Sequence, residues 1–146
     1  MRKETLKHLN KTTNASITSS AFVTDTPAGS LALAVSDKGL ARLFFCTRED
    51  YIHFLADNDL AEASPVAGLL GEVVSQVSEY FEGHRKIFDL PLDLAGQSTF
   101  REKALRQCAL IPFGQTITYG ELADRAGSPK AARAAGGAMA NNPIAL

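Results

Sequence analysis

The sequence has few cysteines and no long apolar run, and both shortages exclude classes of protein. Cys46 and Cys108 form neither a CxxC pair nor a disulfide framework, which predicts a reducing, intracellular compartment. No stretch approaches the roughly 18 apolar residues that a membrane-spanning helix needs. The polar N-terminus has no apolar core before Ala21, so it does not resemble a secretory signal. We therefore expect a cytoplasmic globular protein of one domain or two small ones.

Histidine is equally scarce, and its three positions are isolated from each other and from both cysteines. His8, His53 and His84 form no spacing typical of a zinc site. We therefore assign the histidines no catalytic role and predict no metal.

Charge is distributed unevenly along the chain. Residues 1–100 contain nine Lys and Arg against thirteen Asp and Glu, whereas residues 101–146 contain six basic residues against three acidic ones. A basic segment behind an acidic one indicates an anionic partner for the C-terminal part, although a solvated surface can have the same balance.

The N-terminal part has the pattern of a small α/β domain over residues 21–95, after a flexible polar tail at 1–20. Short apolar runs separated by Gly and Asp predict an antiparallel meander between Ala21 and Thr47. A short helix is predicted over Glu49–Ala56. A longer amphipathic helix is predicted after Pro65, with an apolar face beginning at Val66. Ile87–Leu92 is predicted to be an edge strand.

Residues 96–146 have the pattern of a helical domain that contains a helix-turn-helix. Ser98 is predicted to cap a helix on whose inner face Cys108 is a small core residue. Thr118 and Glu121 have the spacing of a capping box at the start of a helix over Tyr119–Ala126. A turn at Gly127–Pro129 then leads to a second helix over Lys130–Asn141.

The second of these helices consists almost entirely of small residues around Arg133. Adjacent glycines, Gly136 and Gly137, each cost about 1 kcal/mol relative to alanine inside a helix. Two explanations remain open at this point. Small residues allow two helices to pack closely, and they also allow a helix to enter a DNA minor groove about 6 Å wide.

The order of motifs in the last third closely resembles the methylated-DNA–protein-cysteine methyltransferases, which repair 6-O-alkylguanine in DNA. The matching motifs are Ile111–Gln115, Thr118–Ala123, Pro129–Ala134, Gly136–Met139 and Asn142-Pro143. A looser resemblance in the first part involves Pro27–Leu31, Ser36–Leu40, Tyr80–Gly83 and Phe88–Pro91. The resemblance implies a ribonuclease-H-like α/β unit followed by a winged-helix-like unit that docks in the minor groove.

The resemblance also implies roles for individual residues. Arg133 matches the residue that fills the space left by the flipped guanine, and Tyr119 matches the tyrosine that presses on the adjacent phosphate. Asn142 matches the asparagine that braces the turn leading to the active site. Ala132, Ala134 and Gly136 match the smooth groove-facing surface, and Ser128 is expected to be a further DNA-binding residue. The implied partner is double-stranded DNA with an alkylated guanine, bound by a monomer without any cofactor.

The chain departs from the family where the chemistry should occur. In the family, a Pro-Cys-His-Arg motif follows the Asn-Pro pair, and its cysteine accepts the alkyl group. This sequence ends at Leu146, before that motif, so we expect an incomplete second domain without a catalytic residue and without transfer activity. We also expect core residues of this domain to be exposed, among them Ile111, Leu122 and Met139.

Two other functions compete with that of a truncated repair protein. A non-catalytic alkyltransferase-like protein could recognise alkylated bases for other machinery, although much of the base pocket is missing. A helix-turn-helix regulator is disfavoured, because alanine and glycine cannot read base edges.

Overall fold

The computed structural model describes residues 15–64 and 66–146, which form two compact units. The first unit runs to Ala95 and also includes Pro143–Leu146, and the second is Gly96–Asn142. None of the helices in these described ranges is long and apolar enough to cross a membrane. Most of the predicted tail, residues 1–14, lies outside the described residues, as does Pro65.

The first unit contains the predicted antiparallel meander. Strands β1 (Ile17–Val23), β2 (Leu31–Ser36) and β3 (Gly39–Phe45) lie in the order β1-β2-β3. The prediction of a tail as far as residue 20 is wrong, because β1 already begins at Ile17 and pairs with β2. Although residues 17–20 are mostly polar, Ser20 is fully buried and its hydroxyl lies 2.9 Å from the Tyr51 hydroxyl.

Both faces of the sheet are covered by a helix, so every residue of β2 is buried. Alternate residues of a strand point to opposite faces. Leu31, Leu33 and Val35 pack in one core with helix α2 (Gly68–Phe81). Ala32 and Ala34 pack in a second core that includes Tyr51 and Phe54 of helix α1 (Arg48–Asp57). The predicted α/β unit is therefore confirmed, with α1 and α2 close to their predicted positions.

Helix α2 differs from its prediction at the first turn. It begins at Gly68, so Val66 precedes the helix and is 40% exposed. The predicted apolar face is otherwise confirmed, since Leu70, Val73 and Val77 are buried.

The predicted edge strand at Ile87–Leu92 is wrong. Ile87 is 77% exposed, and only Leu92 makes an isolated bridge, to Leu40 of β3. The backbone of Asp89 is instead held by the buried side chain of Gln76. Its N–H donates to Gln76 Oε1 at 3.0 Å and its C=O accepts from Gln76 Nε2 at 3.1 Å. Backbone groups that a strand would use for pairing therefore bind a helix side chain.

The free edge of β3 is covered by two short segments of the chain. The N–H of Leu40 donates to Pro91 O at 2.8 Å, and its C=O accepts from Asp93 N at 2.9 Å. Leu43 repeats this arrangement with the C=O of Pro143 and the N–H of Ala145, both at 2.9 Å. Residues 143–146 are thus anchored to the sheet of the first unit.

The second unit consists of helices α3 (Thr99–Ala109), α4 (Tyr119–Arg125) and α5 (Ala132–Ala140). The Ser98 hydroxyl caps α3 as predicted, accepting from Arg101 N at 3.4 Å. The core of this unit is built mainly from small side chains. Among the buried residues of this core, Leu122 is the large one and the others are alanines. The buried members are Ala104, Leu122, Ala123, Ala126, Ala135 and Ala138.

The expectation of exposed core residues in this unit needs correction. Leu122 is only 2% exposed, because its face of α4 packs against α3 and α5. Ile111 and Met139 are half-buried. The large apolar side chains that are exposed include Leu110 and Phe113, in the connection after α3. Cys108 is half-buried against the small-residue core, as predicted.

Candidate nucleic-acid interface

Helix α4 begins at the predicted capping box. The N–H of Thr118 donates to Glu121 Oε2 at 2.8 Å, and the N–H of Glu121 donates to Thr118 Oγ1 at 3.1 Å. Hydrogen bonds from the Thr118 backbone, and then from its side chain, lower the pKa of Glu121. Because folding lowers this pKa, the carboxylate stabilises the folded state at neutral pH, and the contribution is lost as the pH falls through the lowered value.

Thr118→Ala is expected to destabilise the second unit by about 1 kcal/mol, because an N-terminal N–H of α4 loses its side-chain acceptor. Urea unfolding followed by helical circular dichroism measures the change. Thr116→Ala is the matched control, since Thr116 is exposed, lies outside every helix and makes no hydrogen bond within the described residues. Equal stability of the two variants would contradict the role of the cap.

The turn between α4 and α5 is held by backbone hydrogen bonds. Gly127 adopts φ +85°, in the left-handed region that favours glycine. The N–H of Ser128 donates to Ala123 O, and the C=O of Ser128 accepts from Ala131 N, both at 2.9 Å. Ser128 itself is half-buried at the start of this turn into α5.

Helix α5 has small residues on both its buried and its exposed sides. Ala135 and Ala138 are buried in the core, so close packing explains why they are small. Ala132 and Ala134 are exposed, and a Cβ added at Gly137 would meet no atom within 4 Å. Packing in the core therefore explains only two of the seven alanines and glycines in this helix.

Arg133 lies on the exposed side of α5. Its guanidinium makes no hydrogen bond or ion pair with any other residue that the structure describes. A long cation surrounded by exposed alanines is therefore available to an external anion without losing an internal partner.

Tyr119, the first residue of α4, reaches the same helix. It is 55% exposed, and its ring lies against Gly136, where a Cβ would come within 3.2 Å of Cδ2 and 3.3 Å of Cε2. The structure thus brings together Tyr119 and the small-residue helix that carries Arg133.

The end of α5 involves two consecutive asparagines. The Nδ2 of Asn141 donates to Gly137 O at 2.9 Å, a carbonyl that also accepts from Asn141 N at 3.2 Å, and the sequence did not predict this side-chain contact. The N–H of Asn142 donates to Met139 O at 3.2 Å, and its side chain is half-buried. Pro143, which follows, is fully buried in the first unit.

Neither cysteine has the environment of a nucleophile. Burial, followed by the charge of Asp50, raises the pKa of Cys46 to about 12. Burial also raises the pKa of Cys108. Because both pKa values are raised, both thiols are protonated at neutral pH. The thiolate is the reactive form, so neither side chain is activated as a nucleophile. No group of three or more metal-binding side chains occurs in the described part of the chain.

The charge of the second unit is positive, and part of its acidic charge is already used internally. Of its three acidic residues, Glu102 pairs with Arg106 at 2.9 Å and Glu121 closes the capping box. Exposed cations that make no ion pair within the described residues include Lys103, Arg125, Lys130 and Arg133.

Comparison with known proteins assigns both units to one family. The family model described as 6-O-methylguanine DNA methyltransferase, ribonuclease-like domain, matches residues 21–94. The model described as 6-O-methylguanine DNA methyltransferase, DNA binding domain, matches residues 99–146.

Individual proteins give the same assignment. The constitutive methylated-DNA–protein-cysteine methyltransferase of Bacillus subtilis is 34% identical over 122 residues, which are 84% of this chain and 72% of that protein. The Mycobacterium bovis enzyme of the same name is 42% identical over 83 residues, 57% of this chain but only 50% of that protein. The solved structure of Mycobacterium tuberculosis OGT in complex with DNA matches with a TM-score of 0.70 at 32% identity. This match covers 88% of this chain and 73% of that one. The chain therefore belongs to the methylated-DNA–protein-cysteine methyltransferase family.

Proposed function

We propose that this protein takes part in the repair of alkylated guanine in duplex DNA, and that α5 is the element that enters the minor groove. The observation that carries the proposal is Arg133 on the exposed side of α5, flanked by the exposed Ala132 and Ala134. The family assignment supports the same function, because its second model is named as a DNA-binding domain.

The exposed side of α5 has the shape that a narrow groove requires. A minor groove about 6 Å wide excludes bulky side chains. Ala132 and Ala134 are exposed and end at Cβ, and Gly136, against which the Tyr119 ring lies, adds no side chain of its own. Ser128, in the turn before α5, is proposed to contact the backbone at the groove edge. The remaining exposed cations of the unit would attract the phosphates irrespective of base sequence.

Arg133 is proposed to fill the space in the base stack that a flipped guanine leaves. Extruding a base costs a few kcal/mol, which an inserted side chain offsets by stacking and by its charge. Because Arg133 has no partner among the described residues, insertion breaks no internal ion pair. The small residues on either side allow the helix to approach closely enough for the guanidinium to reach the bases.

Tyr119 and Asn142 are proposed to support this insertion. The half-exposed Tyr119 ring would press on the phosphate beside the flipped nucleotide, and its hydroxyl can donate a hydrogen bond there. Asn142 would brace the turn between α5 and the anchored segment 143–146. We propose that the protein acts as a cytoplasmic monomer and needs no cofactor.

The alkyl acceptor is proposed to be neither Cys46 nor Cys108, because burial keeps both thiols protonated. A polypeptide of residues 1–146 is therefore expected to take no label from duplex DNA that carries 6-O-[³H]methylguanine. The B. subtilis relative serves as the positive control. Label on either cysteine, located by peptide mapping, would contradict this proposal.

A chimera separates repair from damage recognition without catalysis. In it, Leu146 is joined to a C-terminal segment that carries the family's Pro-Cys-His-Arg motif. If the protein is a repair alkyltransferase, the chimera should accept the methyl group on the added cysteine. A chimera that binds the lesion but stays unlabelled would instead favour the non-catalytic hypothesis.

A further inference from the structure

We infer that Gly136 is a positioning residue for Tyr119: its missing side chain leaves the space in which the tyrosine ring rests on α5. The inference deepens the proposed function and rests on it for the role of Tyr119 at DNA. The family resemblance implies that Gly136 is part of the surface that faces the groove. The inferred role is different, because here Gly136 contacts the Tyr119 ring of the same protein.

The contact geometry shows the ring resting on the glycine. A Cβ at Gly136 would lie 3.2 Å from Cδ2, 3.3 Å from Cε2 and 3.7 Å from Cγ of Tyr119. These distances are similar, so the glycine lies under the face of the ring and not beside its edge. The two shortest are tighter than ordinary van der Waals contact, so even alanine would push the ring away from α5.

The backbone of Tyr119 is fixed independently of this contact. Tyr119 directly follows Thr118, the capping residue of α4, and the two hydrogen bonds of the capping box hold this turn. Its ring is more than half exposed. Gly136 therefore restrains a side chain that solvent otherwise leaves free to change rotamer.

The position of Gly136 relative to Arg133 gives this contact its functional meaning. Residues three apart are neighbours on the surface of a helix. Resting the ring at Gly136 consequently sets the distance between the Tyr119 ring and the backbone of Arg133, from which the guanidinium extends. If one group contacts a phosphate and the other enters the base stack, that distance determines whether both can bind the same nucleotide step.

The adjacent glycine provides a natural comparison. A Cβ at Gly137 would meet no atom within 4 Å, although both glycines lie in the interior of α5 and carry the same helix penalty. In tyrosine-labelled NMR spectra, Gly136→Ala should shift the Tyr119 ring signals and Gly137→Ala should leave them in place. Unshifted Tyr119 signals in Gly136→Ala would overturn the inference whether or not the protein binds DNA.

A double-mutant cycle tests the consequence for DNA binding. Affinity for a short duplex with one 6-O-methylguanine is measured by fluorescence anisotropy for the unmodified 146-residue chain, Gly136→Ala, Tyr119→Ala and the double variant. Gly136→Ala should weaken binding roughly three- to tenfold, and it should have almost no effect once Tyr119 is alanine. An equal loss in both backgrounds would mean that residue 136 faces the DNA itself, which overturns the inference. Absence of binding by the unmodified chain would refute the proposed function, while the NMR comparison would still decide the Tyr119 contact.

Discussion

Arg133→Ala is expected to weaken binding to a duplex with one 6-O-methylguanine by about 10- to 100-fold, the largest loss among the exposed cations of the second unit. The reason is geometric as well as electrostatic. Arg133 is the long side chain on the exposed part of α5, flanked by Ala132 and Ala134. Alanine there leaves a gap in the base stack that no neighbouring side chain can fill.

Arg106→Ala is the control that separates insertion from simple charge loss. Both variants lower the net charge by one, but Arg106 already pairs with Glu102 at 2.9 Å and lies on α3. Arg106→Ala should therefore reduce affinity only slightly. Binding is compared by anisotropy on modified and unmodified duplexes at several salt concentrations, because phosphate contacts alone change the salt dependence. Indistinguishable affinities of the two variants would contradict the proposed role of Arg133.

Gly39→Ala is expected to destabilise the first unit by about 2–3 kcal/mol, through a collision with backbone and not with a flexible side chain. A Cβ at this first residue of β3 would lie 2.4 Å from Pro91 O and 2.6 Å from Pro91 C. To relieve the collision, residues 91–93 must move. That movement weakens the hydrogen bonds of Leu40 with Pro91 and Asp93.

Gly71→Ala is the matched control for this substitution. Gly71 lies inside α2, where an added Cβ makes only ordinary contact, 3.5 Å from Val66 O. Alanine should therefore stabilise α2 by about 0.5–1 kcal/mol through its better helix propensity. Urea unfolding of both variants measures the two changes. A stability of Gly39→Ala at or above that of the unmodified chain would show that residues 91–93 are not held against β3.

Local elements with a strong internal signal were predictable from sequence. The spacing of Leu70, Val73 and Val77 matches the helix period, and the Thr118–Glu121 pair has the spacing of a capping box. Both signals are contained within a few residues, so they do not depend on the rest of the fold. The meander was predictable for the same reason, since its turns and alternating strands are local features.

Elements that depend on distant partners were predicted incorrectly. Residues 17–20 lie in a strand because β2 supplies the pairing, despite their polar composition. The backbone of Asp89 is held by Gln76, thirteen residues earlier, so the apolar pattern of the surrounding segment did not produce a strand. Leu122 is buried because α3 and α5 cover it, a contact that its own helix cannot reveal.

Of the candidate site, the sequence by itself determined the family and supplied the candidate residues, because an ordered set of motifs along the chain needs no coordinates. It could not decide whether the small residues of α5 serve packing or surface access, since alanine and glycine suit both. Only the tertiary structure divided them, by burying Ala135 and Ala138 under the neighbouring helices and leaving Ala132 and Ala134 exposed beside Arg133. It also placed the Tyr119 ring on Gly136. The physical reason is that burial and contact are properties of the packed unit, whereas composition and spacing are properties of the chain.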